Sequence, residues 1–120
     1  MITQSYADFA WEKTVQLLAI DSPSGYTEQA AKWVCGEFQL LGFNASITTK
    51  GGVLVDLGGA NNQDGLFLEA HADTLGGMVS QIKGSGCLKV TPLGGMNANN
   101  AEAENVRVHT RDGRVYEGTC

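Results

Sequence analysis

The sequence predicts an α/β half, residues 1–75, followed by a β-rich segment, residues 76–120. Three observations carry this reading. Apolar residues recur with the period of a helix as far as Leu41, they alternate with a period of two from Phe43, and beyond Gly76-Gly77 short runs are separated by turn formers. With 120 residues and 42% hydrophobic content, the chain has enough apolar surface for a core without disulfides.

On a helical wheel Tyr6, Ala10, Trp11, Leu17 and Leu18 share one arc, while Asp8, Glu12, Lys13 and Gln16 lie largely outside it. That pattern predicts an amphipathic helix ending near Ile20. Asp21-Ser22-Pro23-Ser24-Gly25 then breaks the chain with turn formers. Thr27 or Ser24 is placed to cap a second helix with Glu28 in its first turn, where a carboxylate favours the helix dipole. Its apolar face would be Ala30, Ala31, Val34, Cys35, Phe38 and Leu41, with Gly42 as its C-terminal stop.

Phe43, Ala45 and Ile47 alternate with Asn44, Ser46 and Thr48, the pattern of a half-buried strand. Thr49-Lys50-Gly51-Gly52 turns the chain into a second strand, Val53-Leu54-Val55-Asp56-Leu57, so a hairpin is expected. A polar loop covers residues 58–64. Gly65-Leu66-Phe67-Leu68-Glu69-Ala70 reads as a strand covered on both faces, and His71-Ala72-Asp73 follows at its C-terminal end.

In the second half, strands are expected at Met78 to Ile82, Cys87 to Thr91, Asn105 to Thr110 and Val115 to Thr119. Gly84-Ser85-Gly86 and Arg111-Asp112-Gly113-Arg114 supply turns, and a loop rich in Gly and Asn lies between the two pairs. A boundary falls near residues 74–77.

A net charge of -5 without any Lys/Arg run lacks the electrostatic footprint for nucleic acid or an anionic membrane surface, so neither partner is expected. No apolar run nears the ~20 residues of a bilayer span, and Met1 to Tyr6 lacks the marks of a signal peptide. A cytoplasmic location is the expectation. Cys35, Cys87 and Cys120 form no Cys-x-x-Cys pair, which signals neither a disulfide framework nor a structural zinc site. The Asn44-Ala45-Ser46 acceptor pattern carries no meaning without secretion.

His71-Ala72-Asp73 is the most informative tripeptide. Ligands gather at the carboxyl ends of strands in open α/β sheets, and a carboxylate two residues from a histidine can orient its imidazole toward a metal. The same spacing fits a hydrogen-bonded structural histidine. Other candidates read more plainly: His109, with Arg107 and Arg111 on the same strand face, as a surface or interface residue; Cys35 and Cys87 as small hydrophobes; Asp64 as a solvated turn residue; Glu102 and Glu104 as a charged loop edge. Glu69 is assigned no role by the pattern. The Gly-Gly pairs match no phosphate-binding motif and suit turns or bulges.

Four ordered landmarks resemble one family: Ile20-Asp21-Ser22-Pro23-Ser24-Gly25-Tyr26-Thr27-Glu28; Lys50-Gly51-Gly52-Val53; Ala70-His71-Ala72-Asp73-Thr74-Leu75-Gly76-Gly77-Met78-Val79; and Thr91-Pro92-Leu93-Gly94-Gly95. Together they are similar to the glutamyl aminopeptidase / cellulase M family of dinuclear metallo-aminopeptidases. The resemblance implies a zinc-peptidase-like α/β catalytic domain, here its N-terminal part over residues 1–75, and the start of a β-rich, barrel-like dimerisation insertion over residues 76–120. It implies His71 as the first metal-ligand histidine and Asp73 as the catalytic carboxylate that supports it.

By the same resemblance the cofactors are divalent ions, zinc or cobalt, two per complete site, the substrate is a peptide losing its N-terminal residue, and the protein is a homo-oligomer. The family's bridging aspartate, general-base glutamate and other ligands would follow the insertion, inside which the resemblance places the end of this chain. A catalytic zinc needs about three protein ligands, so the isolated chain is expected to be inactive. The competing expectation is a non-catalytic truncated paralogue that acts in assembly or dimerisation; a self-contained small α+β domain is a third.

Overall fold

The structure is a computed structural model that describes residues 4–61 and 63–120. Asn62 of the expected polar loop and Met1 to Thr3 of the N-terminal stretch lie outside the described residues. The architecture is mixed α/β with small sheets, each of two antiparallel strands. The chain divides into two compact units, Met1–Thr74 and Leu75–Cys120.

In the first unit, α1 spans Gln4–Leu18 and α2 spans Glu28–Leu40. The face of α1 that meets α2 differs from the wheel reading. Tyr6, Trp11 and Leu18 are exposed, while Lys13 and Leu17 are half-buried. Lys13 takes the inner position because its stem is apolar and its charge is answered there. Its Nζ lies 2.7 Å from Glu37 Oε2 and sits 5.6 Å and 5.9 Å from the ring centres of Phe9 and Trp33, within cation–π range.

Thr27 occupies the N-cap position of α2 without a side-chain cap bond. The C-terminal stop is built as the sequence suggests. Gly42, at φ 87°, directs its N–H to Gln39 O at 2.9 Å, and Phe43 N–H reaches back to Phe38 O at 3.0 Å. These two bonds close a Schellman turn, and the Phe38 and Phe43 rings seal it edge to face at 6.2 Å.

Strands β1 (Asn44–Ile47) and β2 (Val53–Asp56) pair antiparallel, with Asn44 opposite Asp56 and Ile47 opposite Val53. The core is built from small side chains: Ala30, Ala31 and Cys35 of α2 and Ala45 of β1 are buried. Gln39 fastens the helix to the hairpin by donating its Nε2 hydrogen bond to Ala45 O at 2.9 Å. Buried Cys35 therefore packs as the small hydrophobe its helical position suggests.

Residues 65–70 form no strand. They have no pairing partner among the described residues, and Leu66, Phe67 and Leu68 are 86%, 73% and 70% exposed. An apolar run becomes a strand only where a neighbouring chain takes up its backbone groups, and here pairing begins only at Thr74, which forms an isolated parallel bridge with Pro23.

In the second unit, β3 (Gly76–Ile82) pairs with β4 (Leu88–Leu93). A register shift between Val79 and Gln81 leaves Ser80 as the extra residue of a bulge. Gly77 permits a close approach: a Cβ built there would lie 2.3 Å from Val90 Cγ1. A short helix, α3 (Ala98–Ala101), interrupts the loop expected to be irregular, capped by the Asn97 side chain accepting from Asn99 N–H at 3.0 Å. Strands β5 (Asn105–His109) and β6 (Val115–Thr119) form the hairpin that Asp112-Gly113 announces. No residue of this unit is buried, and Cys87 is exposed rather than packed.

Candidate metal-binding site

The site is set by a contact between two segments far apart in sequence. Ser22 is the most deeply buried polar residue, 1% exposed. Its Oγ donates to Ala72 O at 3.1 Å, and Thr74 N–H donates to Ser22 O at 2.9 Å. These two bonds, with the Pro23–Thr74 bridge, clamp the backbone on both sides of Asp73. Beyond Pro23 the chain turns tightly, Tyr26 N–H donating to Pro23 O at 2.8 Å, with Gly25 at φ 89° in the third position of the turn, where an L-residue would be strained.

This turn presents Ser24, whose Oγ donates to Asp73 Oδ2 at 2.6 Å. The other carboxylate oxygen, Oδ1, lies 3.2 Å from His71 Nδ1. The same ring nitrogen lies 3.0 Å from the Asp73 carbonyl oxygen. A carbonyl and a carboxylate only accept, so this placement suits the tautomer protonated on Nδ1. In the neutral ring Nε2 then carries a lone pair, on a side chain that is 86% exposed. The Ser24 hydrogen bond above all holds the Asp73 carboxyl below its ordinary pKa, against desolvation, and its own N–H and His71 add to the lowering.

A divalent ion suits part of this arrangement. An imidazole with Nδ1 committed to a carboxylate and Nε2 open has the form of a metal-ligating histidine. The described residues contain no group of three or more His, Cys, Asp or Glu side chains able to hold a metal ion, so they fit one arm of such a site and not a closed one.

Asp64 and Glu69 are exposed and neither joins His71, and Glu102 and Glu104 are exposed in the second unit. His109 is half-buried on β5 in the second unit. The residues that the sequence does not assign to the site are Ser22, a turn former by local pattern, and Ser24, a turn former or helix cap by local pattern. Both lie in the Ile20–Glu28 landmark, and that coincidence was the available signal for a link to the His-x-Asp segment. No helix among the described residues is long and apolar enough to cross a membrane.

The chain is 34% identical over 104 residues to a putative aminopeptidase, YhfE, of Bacillus subtilis (strain 168). It is 29% identical over 105 residues to a glutamyl aminopeptidase of Lactococcus lactis subsp. cremoris (strain MG1363). Each match covers 87% of this chain and 30% of the relative, so the chain spans about a third of the length of these relatives. Residues 51–120, more than half of the chain and including both His71 and Asp73, match the family described as M42 glutamyl aminopeptidase. The chain belongs to the M42 glutamyl aminopeptidase family.

Proposed function

We propose that this chain carries the N-terminal part of a metal-dependent aminopeptidase that releases N-terminal residues from peptides. His71 holds one divalent ion, zinc or cobalt, of a two-metal site, and Asp73 is the carboxylate that keeps its ring in the metal-binding tautomer. The observation that supports this most is the commitment of His71 Nδ1 to Asp73, which leaves Nε2 open. When bound, a pair of such ions polarises the scissile carbonyl and supplies hydroxide near neutral pH. The contribution of this chain is to fix the imidazole and, in the neutral ring, to place the proton on Nδ1 so that Nε2 faces the metal.

In this proposal residues 1–75 begin a zinc-peptidase-like catalytic domain and residues 76–120 begin a barrel-like dimerisation insertion, in a cytoplasmic homo-oligomer. The exposed Leu66-Phe67-Leu68 run supports burial against further polypeptide in the complete enzyme. With one recognisable ligand, the isolated chain does not turn over. An aminopeptidase assay with added zinc, cobalt or manganese gives the blank rate, and hydrolysis that His71→Ala abolishes would overturn this.

A second reading has one observation in its favour: the two hairpins of the second unit bury no residue, and open strand edges favour pairing with other chains. In this reading the chain acts only in assembly. Sizing the purified chain with and without zinc separates the two. Zinc uptake lost in His71→Ala supports the partial active site; metal-independent dimers that take up no zinc support the assembly module.

A further inference from the structure

We propose that Ser24 is a positioning residue for the His71 imidazole, acting through Asp73: its hydroxyl holds Oδ2 so that Oδ1 stays on the Nδ1 side of the ring. The inference rests on the reading of His71 as a metal ligand and extends it to a segment 49 residues away in sequence.

The geometry divides the Asp73 carboxylate between two neighbours, Ser24 on Oδ2 at 2.6 Å and His71 on Oδ1 at 3.2 Å. The terminal torsion of an aspartate is broad and roughly two-fold, so a carboxylate 40% exposed has no intrinsic reason to keep one oxygen on the ring. Ser24 supplies the missing constraint. A hydroxyl offers a single proton, and spending it on Oδ2 fixes the plane of the group.

The turn makes Ser24 able to do this. Ser22 and Thr74 fix the two strands of chain against each other, and the bend completed by Gly25 sets the Ser24 hydroxyl over the carboxylate. Backbone placement and side-chain orientation are thus divided between the two serines: Ser22, buried, holds the segment in place, and Ser24, exposed, orients its functional group. That division makes Ser24 replaceable without unfolding.

The readout is the tautomer of His71 in the metal-free chain, measured by long-range 1H–15N correlation at a pH where the ring is neutral. The wild-type ring is expected to be protonated mainly on Nδ1. Ser24→Ala lowers the Nδ1–H to Nε2–H ratio by about threefold to tenfold, the factor carried by one hydrogen bond of ordinary net strength, and no further because the Asp73 carbonyl still faces Nδ1. Ser24→Thr, which keeps the hydroxyl, restores the ratio. An unchanged ratio in Ser24→Ala, a wild-type ring protonated on Nε2, or amide shifts spreading through α2 in Ser24→Ala would each overturn the proposal, the last by making Ser24 structural.

Adding Zn2+ alone to the wild-type chain separates this from the underlying reading. A zinc-dependent shift at His71 Nε2 with a tautomer indifferent to Ser24 overturns the positioning role and leaves the ligand role standing. A Ser24-dependent tautomer with no response to zinc does the reverse.

Discussion

The first unit is held by contacts between distant parts of the chain, the second by contacts between neighbours. Ser22 reaches Ala72 across 50 positions and Ser24 reaches Asp73 across 49. In the second unit β3 pairs with β4 and β5 with β6, each pair joined by a short turn. Every described buried residue, Ser22, Ala30, Ala31, Cys35 and Ala45, belongs to the first. An isolated two-stranded ribbon is marginal in water, so the second unit is specified by its turns and register while the first is specified by packing. The candidate site lies where packing does the specifying. Precise orientation of a side chain needs a frame whose other members are fixed, and residues on a lone ribbon have none.

The largest expected effect tests that contrast directly. Ala30 is 1% exposed, so Ala30→Leu forces extra volume into the buried face of α2 and costs about 1–3 kcal/mol. Val106, part-exposed on β5, faces no buried layer, and Val106→Ala changes stability by about 0.5 kcal/mol or less. Urea unfolding followed at residues of each unit measures both. Equal losses would mean that the ribbons bury a face in solution, and the comparison would fail.

The same division decides what was legible in the sequence. Gly42 as a helix stop and Asp112-Gly113 as a hairpin turn were readable because each is enforced within a few residues. The resemblance of ordered landmarks identified the family before any geometry was known, since motif order survives where contacts are invisible. Two local patterns misled. Trp11 belongs to an apolar arc yet is 72% exposed, and Lys13 from the polar side faces α2 instead, because Glu37, Phe9 and Trp33 answer its charge. Residues 65–70 have the composition of a buried strand and form none, because a strand depends on its neighbour as much as on its own residues. By local pattern Ser24 is a helix-cap candidate. Its actual partner, Asp73, could not be read from local pattern, since no periodicity connects positions so far apart.

A smaller effect sharpens the contrast by acid. Asp112 is held below its ordinary pKa first by the hydrogen bond from Arg114 and next by that from Thr110, against desolvation. Arg114 Nε reaches Oδ2 at 2.7 Å, and the Thr110 hydroxyl donates to Oδ1. Because the folded value lies below the unfolded one, the unfolded chain binds more protons between the two. Its stabilisation is therefore complete above the unfolded pKa of about 3.9 and fades as pH falls through the lower folded value. Glu28 is lowered in the same sense by Lys32, through its hydrogen bond first and its charge second. The consequences differ because α2 keeps Ala30, Ala31 and Cys35 whatever Glu28 does, whereas the turn at 110–114 has only its own bonds. Below pH 4 the chemical shifts of β5 and β6 move toward random-coil values before those of α2. Asp112→Asn, measured above pH 5, shows a weakened hairpin already, and its shifts no longer respond to acid in this window. Loss of α2 first would show that packing in the first unit is weaker than the local bonds of the turn, reversing the order on which the comparison stands.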